Sequence, residues 1–566
     1  MTAASDEPSA VPDPLRDPVE LPDGYRTACR RLGVDGDPKR LLVAGYTLAL
    51  CCWLLGLATL SLGSGPVGVA AGLTALVVAV AAALAVRYGV PLAARAKRGR
   101  ALGAAPSLVT ALVLGVTLWP TAERAAAFAA SAGDGRLAAR LAAHRRRAAG
   151  TPESGLGAFA AAWRDRFPAL AEAVTHVERA AATPASERPA VLGAARRRVL
   201  DGTRDEMARF AADLRGPTTG LYAFGVLLPL AFVSLLPAAA AAGVPVTAGV
   251  LVGVYGVALP AGLAVASAWL LARRPLAFPP APVPRTHPEV PSRPTNAVAA
   301  AAVAAVGGWI VGAALRPGWG GSFAALGFGP GVGLFVHYRP VVAVREHVER
   351  VEAALPDALT AIGRRVDRGT AVETALTEAA SVTTDPLASL LVATVDRQRT
   401  LGTDLESAFR GDHGTLATVP SPRLRRVATL LSAAAAVGPP AGASITRMGE
   451  HLEELRRVER ETERDLAQVT GTLSNTAALF GPLVGGATVA LAGSMRAGGP
   501  IETVAVGVLG PVVGWYCLVL AALLTALSTG LYRGFDRALV GSRVGLALCS
   551  ATATFLAALV ATRLLV

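Results

Sequence analysis

The chain has 566 residues, 52% of them hydrophobic and only 17% charged, with a mean hydropathy of +0.47. Globular domains carry nearer a quarter charged residues, which excludes an ordinary water-soluble fold and points to an integral membrane protein with aqueous segments. A formal charge of +13 would suit a nucleic-acid or membrane-surface partner, but here its distribution decides the matter.

Residues 1–38, beginning "MTAASDEPSAVPDPLRDPVELPDG", are acidic and Pro-rich. They lack a basic stretch followed by an apolar run, so they do not read as a signal peptide and are expected to form a disordered cytosolic tail. Apolar runs long enough to span a bilayer, about 20 residues, follow at 41–63, 66–86, 217–238, 244–271, 296–315, 318–336, 472–495, 504–530 and 544–562. Basic residues flank one side of these spans: Arg30, Arg31, Lys39 and Arg40, then Arg87 to Arg100, then Arg273 and Arg274, Arg339 and Arg345, and Arg533, Arg537 and Arg543. The opposite loops hold only Arg316, Arg496 and Glu502. The positive-inside rule then places the N-terminus in the cytoplasm and the C-terminus outside, in a multi-pass protein of the cell membrane. Topology absorbs the +13, and no nucleic-acid partner is expected.

The resulting division is 1–38 tail, 39–86 span pair, 87–216 first cytosolic module, 217–272 span pair, 273–295 Pro-rich linker, 296–336 span pair, 337–471 second cytosolic module and 472–566 three spans. The first module holds 21 Lys and Arg against 11 Asp and Glu; the second holds 17 against 19. Both read as helical bundles. Leu355, Leu359, Ile362 and Val366 lie on one helix face, with Pro356 suited to a first turn and Gly369 as the breaker. Thr370 and Glu373 read as a capping box for a second helix with inner face Val372, Ala375, Leu376 and Ala379. Gly402-Thr403-Asp404-Leu405-Glu406 reads as another. A last helix with Ile445, Met448, Leu452 and Leu455 inward runs on towards the span at 472–495.

The order of elements repeats, and both units start on the same side, so the repeat is parallel. "APSLVTAL" (105–112) aligns with "LPDALTAI" (355–362), "TAERAAAFAA" (121–130) with "TAVETALTEAA" (370–380), and "GTPESGLGAF" (150–159) with "GTDLESAF" (402–409). In the third pair, Thr151-Pro152 and Thr403 both read as helix starts. "AFG" (223–225) aligns with "LFG" (479–481), each inside the span that follows a long charged helix. The fold class expected is therefore all-α: a polytopic membrane protein of about nine transmembrane helices, with two cytosolic helical bundles in a parallel internal repeat.

Signatures of chemistry are missing. Neither lysine follows a glycine, so there is no P-loop; there is no HExxH and no GxSxG. Cys29, Cys51, Cys52, Cys517 and Cys549 have no metal spacing and read as small hydrophobes. No span contains an Asp, Glu, Lys, Arg or His, which argues against charge-coupled transport. No enzymatic activity and no cofactor are expected.

The ordered set Leu355-Pro356, Gly369, Glu373-Thr374-Ala375-Leu376, Gly402 to Phe409, and the charged helix Ile445 to Thr470 resembles the type II secretion system F-domain family. The first unit is more diverged, with Leu118-Trp119-Pro120 where Gly369 would sit and an extra run His144 to Arg147. The long two-unit form looks like the archaeal members. The resemblance implies a non-enzymatic platform protein of type IV pilus-like or type II secretion-like machines, embedded in the lipid bilayer. It implies that the platform couples a cytosolic secretion ATPase to assembly of pilin-like subunits, and it is compatible with a homodimer. Pro356, Gly369, Thr370, Glu373, Gly402, Thr403 and Glu406 would be its structural motif positions. Candidate ATPase-docking residues are Arg145, Arg146 and Arg147; Arg364, Arg365 and Arg368; Arg423, Arg425 and Arg426; and the run Arg196 to Arg198. The alternative is a transporter or sensor with helical cytosolic modules.

Overall fold

A computed structural model describes residues 104–565 apart from 133–135, 152–153, 242–246, 275–282, 285–286, 292–293, 316–317, 412, 439–440, 498–505 and 535, together with a few residues between 42 and 79. The acidic tail 1–38 and most of the expected spans 41–63 and 66–86 lie outside the described residues. Among the described residues every regular element is helical, and six helices are long and apolar enough to cross a membrane. The chain is an all-α, multi-pass membrane protein.

The first helical module comprises α1 (Ala105–Leu118), α2 (Ala122–Ala132), α3 (Arg136–Ala148), α4 (Gly155–Trp163), α5 (Pro168–Ala182) and the long α6 (Arg188–Tyr222). Each short helix packs on the next, and α1 closes the bundle against α5 and α6. A π-helical turn at Ala223–Leu227 carries α6 into α7 (Leu228–Ala241). Next come α8 (Ala248–Leu251), a second π-turn at Val252–Ala258, and α9 (Leu259–Arg273). Then α10 (Thr295–Ala314) packs along the first part of α11 (Gly320–Asp367).

The second module uses the far end of α11, then α12 (Val372–Ala380), α13 (Leu387–Leu401), α14 (Leu405–Arg410), α15 (Pro422–Val437) and the long α16 (Gly442–Asn475). A third π-turn at Thr476–Phe480 leads into α17 (Gly481–Ala497); α18 (Val506–Arg533) and α19 (Arg537–Leu565) complete the membrane bundle. The apolar part of the continuous Gly442–Ser494 helix is its far end, so its first seven turns are polar and belong to the module.

The expected inner faces are buried: Leu355, Leu359, Ile362 and Val366 are at most 3% exposed. Burying each such side chain contributes about 1.5–3 kcal/mol. Gly369 ends α11 with φ +95°, a region closed to most L-residues, and Gly402 ends α13 in the left-handed conformation at φ +60°.

Several local expectations are corrected. Pro356 is not in a first turn. It sits inside the 48-residue α11, which loses one backbone bond there and continues because its apolar face is buried on both sides of the proline. Thr370 and Glu373 form no capping box: Ala371 occupies the N-cap of α12 without a side-chain bond, and Glu373 instead accepts from Gln398 Nε2 at 3.5 Å. Thr403 and Glu406 do not cap α14 either. Asp404, one residue later, accepts from Ser407 N at 2.9 Å, and Glu406 pairs with Arg410 at 3.3 Å. A carboxylate near a helix N-terminus also suits the macrodipole, which favours Asp404 over the neighbouring hydroxyl. In the first module the cap is Ser154, accepting from Gly157 N at 3.2 Å, rather than Thr151. The 318–336 stretch forms the glycine-rich start of α11, packed between α10 and α19, where a Cβ at Gly331 would lie 2.6 Å from Cys549 Sγ.

Candidate partner-docking surface

The modules are not separate beads. One continuous apolar core runs through both, from Leu108, Leu112 and Phe159 to Leu359, Leu376 and Ile445. Long helices α6 and α16 pack side by side, and Arg204 of the first pairs with Glu461 of the second. Close approach of α11 and α16 depends on glycine. A Cβ at Gly442 would lie 2.4 Å from Asp367 N, and one at Gly363 would lie 2.6 Å from Thr446 N.

At the seam, α1 meets α16 through Thr110 and His451. Thr110 Oγ1 donates to Pro106 O at 2.7 Å, so its only proton is committed. His451 Nε2 must then carry a proton and donate to Thr110 Oγ1, a tautomer assigned by this network. Nδ1 is left as a buried acceptor with no partner among the described residues. His451 is 2% exposed; burial first, then the cations Arg196, Arg426 and Arg423, push its pKa down to about 3. The imidazole is neutral at any physiological pH. A small cavity of about 30 Å³ opens beside it, lined by Ser107, Leu114, Phe128, Arg426 and Leu452.

The candidate arginines fall into distinct environments. Arg423 faces inward: its guanidinium bonds Glu352 at 3.1 Å and Glu459 at 2.9 Å, joining α11, α15 and α16. Burial alone would lower its pKa, but Glu459 and Glu352 outweigh it and hold the group above its usual value. Ser421, the cap of α15, adds a bond to the same Glu352 at 2.5 Å. Arg425 is exposed, and Arg426 is half-buried at the seam with Nε donating to Pro422 O at 3.2 Å. Arg364 and Arg368 are exposed at the end of α11, whereas Arg365 pairs with Glu378 at 2.5 Å. Arg145, Arg146 and Arg147 are exposed in the last turn of α3, where they complement the helix dipole. Arg198 is paired with Glu172, and Arg196 Nη1 reaches Arg447 O at 3.4 Å.

The seam therefore brings the 423–426 cluster against the 105–112 stretch, with His451 between them. Sequence reasoning named both stretches but missed His451, whose only signal was a lone histidine on an otherwise apolar helix face.

No family model, no curated protein and no solved structure matches the chain.

Proposed function

We propose that this chain is a membrane platform of the type II secretion F-domain kind, an assembly-machine component that couples a cytosolic secretion ATPase to insertion of pilin-like subunits. On this reading it has nine spans in a parallel duplication, with both modules and the N-terminus in the cytoplasm and the C-terminus outside the cell membrane. The observation that carries the reading is the matched build of the two modules. Each runs through six helices in the same order, the first packing on the second and on the last. Each ends in a long polar helix, 35 residues in one case and 34 in the other. Each long helix enters the bundle through a five-residue π-turn, at Ala223–Leu227 and Thr476–Phe480. These are the places where the sequence repeats "AFG" and "LFG".

A duplicated pair of water-facing bundles on long membrane-entering helices suits a component gripped from one side by a separate motor. Among the candidates, Arg425, Arg364, Arg368 and Arg145 to Arg147 are exposed, whereas Arg423 is engaged within the fold. The test is co-purification of the detergent-solubilised chain with the secretion ATPase of its own cell. Replacing the exposed Arg425 by Glu is expected to reduce recovery of the ATPase at least fivefold while membrane insertion is unchanged. Undiminished recovery refutes this docking surface, and failure of the unaltered chain to recover the ATPase refutes the platform reading.

A further inference from the structure

The three π-turns among the described residues share a feature that the sequence declares. An α-helical carbonyl accepts from the N–H four residues on, and proline has none. Pro229 deprives Gly225 of its donor, Pro260 deprives Gly256, and Pro482 deprives Ala478. Each of these three carbonyls lies inside one of the π-turns. A proline within a helix both removes a bond and crowds the preceding turn, and widening to π geometry is one way to absorb that. Two of the segments share a pattern, Phe224-Gly-Val-Leu-Leu-Pro229 and Tyr255-Gly-Val-Ala-Leu-Pro260.

Each orphaned carbonyl is met by a side chain from another helix. Tyr516 Oη donates to Gly225 O at 2.5 Å, and Trp515 Nε1 donates to Gly256 O at 3.2 Å. Ser550 Oγ donates to Ala478 O at 3.3 Å. Tyr255 adds a bond to Pro229 O at 2.9 Å and stacks edge-on against Tyr516 at 5.6 Å. An unpaired peptide group is costly in a bilayer, so these donors matter more than they would in water.

We propose that the proline-set turns at Ala223–Leu227 and Thr476–Phe480 are pivots, and that Tyr516 and Ser550 are latches that fix the angle at which the module-bearing helices α6 and α16 leave the membrane bundle, while Trp515 holds the matching turn between α8 and α9. Releasing a latch frees its carbonyl to find another donor by bending the helix. Adjacent residues Trp515 and Tyr516 hold two of the π-turns from one turn of α18, so a shift of α18 releases both together. The inference needs only the bilayer and is independent of what the protein assembles or transports.

The experiment is a distance measurement by electron paramagnetic resonance on the full chain in lipid nanodiscs. Nitroxides are attached through unnatural amino acids at Asp201 and Leu546, both exposed. Asp201 is 22 residues from the first π-turn, about 33 Å at 1.5 Å per residue, so a tilt of about 10° moves it by about 6 Å. Tyr516→Phe is expected to add a second distance population, its share raised about fivefold for the one hydrogen bond removed. Pro229→Ala restores the missing N–H, so Tyr516→Phe is expected to have no effect on the distances in that background. Ser550→Ala with Pro482→Ala, read between the exposed Arg457 of α16 and Leu546, provides a second, independent cycle should the Tyr516 variant fold poorly. Distances identical to the unaltered chain in the single latch variants, or equal shifts with and without the proline, overturn the proposal.

Discussion

Replacing His451 by Gln isolates the acid sensitivity built into the module seam. Gln retains an N–H donor for Thr110 and removes the titratable ring. In the folded chain the pKa of His451 is depressed to about 3, while the unfolded chain regains the ordinary value of 6.5. Below pH 6.5 the unfolded state binds a proton that the folded state refuses, so stability is fully present above pH 6.5 and is lost progressively between there and about 3. The limiting slope is about 1.4 kcal/mol per pH unit. For the two modules unfolding as one unit of about 250 residues, that corresponds to about 3 °C of melting temperature per pH unit. The groups facing His451 from α6 and α15 are Arg196, Arg423 and Arg426, which stay charged throughout this window and so hold the field constant. The assay is thermal unfolding of the detergent-solubilised full chain from pH 7.5 to 5, comparing the unaltered protein with His451→Gln. The other histidines cancel in the difference. Between pH 6.5 and 5 the unaltered protein is expected to lose stability more steeply than the variant. Parallel curves refute the assignment of a buried neutral imidazole at the seam.

Further outcomes follow from the same contacts. Arg423→Ala leaves Glu352 and Glu459 facing each other half-buried; with the arginine side chain 23% exposed, a loss of about 2–3 kcal/mol is expected by chemical denaturation, less than for a fully buried pair. If stability is unchanged, Arg423 is not the tie between α11, α15 and α16. Gly442→Ala places a methyl 2.4 Å from Asp367 N and 2.7 Å from Gly363 O, both backbone, and should cost about 1–3 kcal/mol in the same titration. A neutral result would mean that α11 and α16 do not cross so closely.

Periodicity made much of this fold legible. The faces at 355–366 and 445–455, the stop at Gly369, and the run of a charged helix into an apolar one could all be read because each depends on residues a few positions apart. Caps were misplaced by a residue or more wherever two candidates stood together, as Thr403 and Asp404 do, since choosing between them depends on backbone angles set by packing. Pro356 misled for a related reason: one missing hydrogen bond is a small local loss beside the burial of Leu355, Leu359 and Ile362. His451 and Thr110 lie 341 residues apart, and nothing local announces their pairing. The π-turns are an intermediate case. Gly225 with Pro229, Gly256 with Pro260 and Ala478 with Pro482 declare three orphaned carbonyls in the sequence, but the donors at 515, 516 and 550 emerge only when the helices assemble.

How the modules are joined constrains where the molecule can move. A shared core running from Leu108 to Leu455 means that sliding one module on the other exposes apolar surface at about 25 cal/mol per Å². It would also break the Thr110–His451 and Arg204–Glu461 contacts. The exits from the modules are different. Helices α6 and α16 each leave through a π-turn whose backbone is held by a single side-chain hydrogen bond, from Tyr516 in one case and Ser550 in the other. Exchanging such a bond for another costs about 1 kcal/mol, far less than opening the seam. The paired modules therefore move as one body about α11, which runs unbroken from the bundle into the second module, and the bends at Ala223–Leu227 and Thr476–Phe480 take up the change. That places α18, which holds the first of these exits through Tyr516, between a load on the polar side and any rearrangement of the bundle.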